Sequence, residues 1–134
     1  MDDFLRFKQR KETYSKSLAL LLRQSEKEEL DEANIGATLH FFNLTFELSW
    51  NMLKDYLYAQ GTEVRSPRDA IKSAFQAGYI DNENHWLDMI KSRNLIAHAY
   101  DMVMAEKLVV EVLERYLKLL VKLGEDADVW AKTK

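Results

Sequence analysis

Residues 39–50 read LHFFNLTFELSW, within a longer stretch from about Asp31 to Ala59. Ile35, Leu39, Phe42, Phe46, Trp50, Leu53 and Leu57 recur there at spacings of three and four, the period of an amphipathic helix. The quoted twelve residues are apolar on more than one face. A helix of that kind is expected to be buried on two sides, by its own bundle and by a partner. Gly61, after YAQ, is a natural C-terminal stop.

Working outward, Phe4, Phe7, Lys11, Tyr14, Leu18 and Leu21 predict a first helix from about Asp2 to Arg23, its stripe interrupted by a lysine. The polar SEKEELDEAN connects it to the second. Beyond Gly61, Ser66 is placed to cap, Pro67 fits a first helical position, and Asp69 can complete a weak capping box. Ala70, Ile71, Ala74 and Phe75 give this short helix an apolar face, and Gly78 ends it. Asp81 or Asn82 caps a fourth helix carrying Trp86, Leu87, Met89 and Ile90, which is expected to end near His98–Tyr100. Asp101 caps a last helix with the stripe Ala105, Val109, Val112, Tyr116, Leu119 and Leu123, stopped by Gly124.

The 134 residues include one proline, four glycines and no cysteine. Length argues for one domain, and composition for an all-helical one. The fold class expected is all-α: an up-and-down antiparallel four-helix bundle with one additional short helix, spanning 1–124, followed by a loosely ordered tail, 125–134. The charged N-terminus lacks the apolar core of a secretory signal. No apolar run approaches the roughly 18 residues of a membrane span. A cytoplasmic protein is expected, with no membrane association. A net charge of −3 disfavours tight nonspecific nucleic-acid binding, though not a local basic site.

No Gly-rich phosphate loop is present. The three histidines are His40, His85 and His98, and Ala37, Asn82 and Leu95 stand three residues before them. The Glu-x-x-His pairs with which bundles hold two metals are therefore missing, and no metal or cofactor is implied. His40, Asn43, Glu47 and Trp50 look like buried polar residues of the second helix. They read as a hydrogen-bonded seam, or as a pocket wall or subunit contact, with Glu47 pairing to Arg93.

Residues 93–100, RNLIAHAY, are the candidate site. Five residues on a regular helix turn about 140° and rise about 7.5 Å, so Arg93 and His98 share no face unless the helix loosens or a second chain completes the site. Asn94 and His98 would share one. Arginine near a helix C-terminus is favoured by the macrodipole whatever its role. Chemically, arginine can fork onto a phosphate, and histidine can take a proton from a ribose 2′-hydroxyl. Together they would suit metal-free RNA cleavage, with a symmetric dimer presenting two copies of each. Tyr100 either packs the helix end or offers a hydroxyl to a phosphoryl or nucleotidyl group. Lys91, Arg65, Arg68 and Lys72 are the other cations expected near this site.

An arginine, four residues, a histidine, one residue and a tyrosine at the end of the penultimate long helix resemble the HEPN superfamily. FELSWNMLKDYL, SPRDAIKSAFQAGYI and WLDMIKSRNLIAHAYD, in that order, resemble the nucleotidyltransferase substrate-binding proteins. The resemblance runs from about Phe4 to Leu123. It implies a bundle like the C-terminal domain of kanamycin nucleotidyltransferase, and a homodimer that associates with a separately encoded minimal nucleotidyltransferase. By position, Arg93 and His98 match the motif residues of the HEPN ribonucleases, and Asn94 the polar residue after that arginine. Tyr100 matches the tyrosine nucleotidylated in related toxin–antitoxin pairs. Two functions follow from the resemblance. One is a non-catalytic substrate-binding partner subunit within a toxin–antitoxin module, its site formed by Glu47, Arg93, Asn94, His98 and Tyr100. The other is a metal-independent endoribonuclease using Arg93 and His98, silenced at Tyr100. Nucleotide and RNA are the ligands these readings allow. A bare dimerisation bundle ranks below both.

Overall fold

The computed structural model describes residues 2–99 and 101–133, and in these every regular element is helical. The helices are α1 (Asp3–Ser25), α2 (Glu32–Ala59), α3 (Pro67–Gln76), α4 (Glu83–Ile96), α5 (Met102–Glu111) and α6 (Leu117–Lys132). A π turn, Val112–Tyr116, joins α5 to α6 into one continuous rod.

The twofold apolar pattern of α2 makes it the central element, packed against α1, α3, α4, α5 and α6. Phe42, Phe46, Met52 and Leu53 are fully buried along it. Each such side chain removed from water contributes about 1.5–3 kcal/mol, before the entropy of ordering it. Side-chain pairs fix the chain directions. Arg10 meets Asp55, Ser17 meets Thr45 and Asn34 meets Gln24, so α1 and α2 run antiparallel. Trp86, near the start of α4, lies beside Leu119 and Leu123, and Ile96, at its end, lies beside Ala105, so α4 runs antiparallel to the rod. Ile35 and Leu39 cluster with Ala105, Leu108 and Val109, while Phe42 stacks on Tyr116, so the rod runs parallel to α2. This is the up-and-down bundle that the sequence predicts, with α3 as the short extra helix.

Several helix ends follow their capping chemistry. The Asp2, Asp31, Ser66 and Asp101 side chains each accept from a first-turn backbone N–H. Asn82 stands at the N-cap of α4 without capping it, because it adopts a left-handed backbone, φ 59°. Gly78, φ 81°, takes the left-handed position just past α3, where a side chain would be strained.

The last helix corrects the sequence reading. Gly124 does not stop it, and residues 125–132 are helical rather than a loose tail. Gly124 serves close packing instead: a Cβ there would lie 3.3 Å from Leu18 Cδ2 and 3.6 Å from Tyr14 Cε2. Past this crossing Ala127 is fully buried, Trp130 stacks on Tyr56 at 4.5 Å between ring centroids, and Asp128 accepts a 2.7 Å hydrogen bond from Lys11. Lys11 therefore belongs in the α1 stripe, its stem covered and its ammonium paired. Two further differences concern single residues: Phe75 is exposed rather than part of the α3 core face, and His40 is exposed rather than buried.

Tyr14 is fully buried, and its hydroxyl donates to the Leu120 carbonyl at 2.6 Å. Burial pushes its phenol well above the usual tyrosine range. The folded chain thus holds this proton more tightly than the unfolded chain. That stability is fully present below about pH 10 and is lost as pH rises further. The melting temperature should fall more steeply above pH 10 in the native chain than in Tyr14→Phe. Trp130→Ala should cost about 2–3 kcal/mol in chemical denaturation; a loose tail would predict under about 0.5 kcal/mol.

Candidate functional site

The C-terminal turn of α4 lies over the middle of α2. A helix with Arg93 in its last turn places a cation at the negative end of its dipole. The guanidinium turns inward. Its Nη1 pairs with Glu47 Oε1, and its carbon centre lies 5.6 Å from the Phe46 ring centroid. Its Nε donates to Asn94 Oδ1 at 3.1 Å. The other Glu47 oxygen accepts from the Trp50 indole at 3.0 Å. Phe46, Glu47 and Trp50 on α2 therefore form a socket, and Arg93 is the plug. The pairing of Glu47 with Arg93 is the contact that the sequence predicts. Asn94 buttresses Arg93 through its carbonyl oxygen.

Beneath the plug, Ser92 and the Tyr116 hydroxyl are 2.8 Å apart and buried. The π turn presents Tyr116 there, with its ring stacked on Phe42. Burial raises the Tyr116 phenol, and the Ser92 bond partly opposes this. The neighbouring Arg115 is held by Asp88 and Glu111, whose hydrogen bonds push it still higher than an ordinary guanidinium. The wide turn, a feature that concentrates at functional sites, thus locks the rod to α4 one residue before Arg93.

The helix does loosen, earlier than the sequence suggests. It ends at Ile96, and the His98 and Ala99 N–H groups donate three residues back, to Leu95 and Ile96. His98 lies in this tight turn, exposed. Tyr100 lies outside the described residues. Glu47, Arg93 and Asn94 are thus brought together, with His98 on the turn that follows.

From Glu47 toward the α2 N-terminus, Asn43, His40 and Gly36 follow on one helix face. With Ile96, Ala99 and Met102 they line a groove of about 510 Å³. Leu44, Leu95, Met102 and Val103 are exposed apolar side chains of the same region, 39–66% accessible. The two-sided apolarity of LHFFNLTFELSW has its physical counterpart here, one side in the core and Leu44 in water. The sequence reading missed Met102 and Val103, which sit immediately after the Asp101 cap. It also placed Arg65 at this site. Arg65 instead pairs with Glu63 and lines a cleft with Arg6, Arg10 and Lys54. Among the described residues, no group of three or more His, Cys, Asp or Glu is arranged to hold a metal ion, and no helix is long and apolar enough to cross a membrane.

Glu47→Ala would strand a half-buried guanidinium and should cost about 1–2 kcal/mol in urea unfolding. Asn94→Ala, at an exposed partner, should cost under about 0.5 kcal/mol.

No curated protein is significantly similar to the chain. A crystal structure of a Thermus thermophilus protein superposes with a TM-score of 0.75 at 25% identity, covering 89% of this chain and 98% of that one. The family described as "Nucleotidyltransferase substrate binding protein like" matches residues 9–128, nearly the whole bundle. The chain belongs to this nucleotidyltransferase substrate-binding-protein-like family.

Proposed function

We propose that the chain is the non-catalytic, substrate-binding subunit of a two-component system whose catalytic half is a separately encoded minimal nucleotidyltransferase. In this reading it acts as a homodimer within a cytoplasmic toxin–antitoxin module. The groove along α2 and the α4–α5 turn presents the group that the partner modifies. The exposed Leu44, Leu95, Met102 and Val103 supply the apolar part of the subunit contact.

One observation carries this reading beyond family membership: Arg93 is committed to Glu47. In the ribonuclease alternative, Arg93 forks onto the scissile phosphate and His98 moves the proton of the 2′-hydroxyl. That reaction would first have to separate a half-buried ion pair seated on Phe46. A partner subunit needs no such step. In it the pair braces α4 on α2 beside the groove, and Asn94, His98 and Tyr100 contact the modified group.

Mixing the chain with the separately encoded nucleotidyltransferase and ATP, followed by intact-mass analysis, tests the reading. Modification of a small molecule with the chain unaltered is the expected result. A nucleotidyl adduct on Tyr100 would make the chain itself the substrate. RNA cleavage lost in His98→Ala, with folding retained, would replace the reading by the HEPN ribonuclease. Val103→Glu should leave the helical signal unchanged and weaken subunit association at least tenfold, read by sedimentation.

A further inference from the structure

A second concave site lies at the other end of α2. Arg6 and Arg10, one helical turn apart on α1, face Lys54, Asp55 and Tyr58 of α2 across a cleft of about 590 Å³, walled by Glu63 and Arg65 of the α2–α3 connection. The volume is that of a small-molecule pocket. Four cations and two carboxylates line it, in a chain whose net charge is −3. Both carboxylates are already used within the cleft. Asp55 accepts from Arg10 Nε at 3.0 Å, and Glu63 pairs with Arg65 at 3.3 Å. Arg6 and Lys54 have no carboxylate partner among the described residues.

The Arg10 pair has a consequence for recognition. Asp55, only 7% exposed, holds the guanidinium by its inner nitrogen. The two outer nitrogens donate to no described residue. They form the fork that grips phosphate oxygens in a bidentate contact. Tyr58, one turn beyond Lys54 on α2, is 49% exposed and offers a ring face at the rim. Cations without partners, an immobilised guanidinium and an aromatic rim are the elements that bind a phosphate run joined to a flat ring.

The geometry points to a nucleotide-binding site in this cleft: the phosphates of a free nucleoside di- or triphosphate lie between Arg6, Arg10 and Lys54, and its base lies on Tyr58. This site is separate from the Arg93 groove and does not depend on the partner-subunit reading.

Calorimetric titration of the full chain with ATP, tripolyphosphate and adenosine at low salt tests it. ATP should bind. Arg6→Gln combined with Lys54→Gln should weaken ATP at least about tenfold, as expected for two lost phosphate contacts. Tyr58→Ala should weaken ATP about fivefold and leave tripolyphosphate unchanged. Arg93→Gln should change neither. The single Arg6→Gln variant, altered at an exposed side chain, checks any loss of fold in the double variant by circular dichroism. Absence of ATP binding at millimolar concentration, equal affinity in the double variant, or binding abolished by Arg93→Gln alone would overturn the assignment. Tripolyphosphate binding as tight as ATP would remove the base from it.

Discussion

The ion pair between Arg93 and Glu47 fixes where α4 ends relative to α2, and the geometry of the groove follows from it. A cation in the last turn of α4 has a favourable place in the helix field. Burying part of it against Phe46 requires a carboxylate on the facing helix, and Trp50 aims that carboxylate. Once α4 is pinned at this point, the chain must turn tightly through residues 97–99 to begin α5 at the Asp101 cap. Ile96, Ala99 and Met102 are thereby brought against the exposed face of α2. Below the pair, Ser92 and Tyr116 tie the same turn to the rod, so α4 is held from two sides.

Much of this was legible in the sequence because it follows from short-range rules. The stripe of α2, the Ser66–Pro67 start of α3 and the Asp101 cap each depend on residues within a few positions. The Glu47–Arg93 contact was legible because Glu47 stands in a polar seam of a largely apolar helix, where a carboxylate calls for a cation from a facing helix. The misread positions depend on distant neighbours. Gly124 looks like a stop until α1 is placed beside it, when it becomes the residue that lets Leu18 and Tyr14 approach. Trp130 looks like part of a polar tail until Tyr56 is there to stack on. Phe75 fits an apolar face by spacing, but α3 is too short and too peripheral to be covered over that position. The π turn has no spacing signature of its own. The buried stripe runs through it with steps of four and three, as it would through a regular helix.

The basic cleft shows the same limit from the side of function. Arg6, Arg10, Lys54 and Arg65 are spread over some sixty residues of an acidic chain, and no local run of charge marks them. Antiparallel packing of α1 on α2 gathers three of them, and the α2–α3 connection brings the fourth. Field strength depends on this arrangement rather than on net charge. The two concave sites lie at different stretches of α2, so one long helix carries a groove with an apolar border along its N-terminal half and a cationic cleft near its C-terminal end.

A double-mutant cycle on Glu47 and Arg93, read in equilibrium urea unfolding, measures whether the two side chains act as one unit. A favourable coupling of about 1 kcal/mol or more is expected, because each partner alone leaves a half-buried charge without its counterpart. Additivity of the two single substitutions within about 0.3 kcal/mol would contradict it: the guanidinium would then not be committed to α2, and the geometry assigned to the groove would lose its anchor.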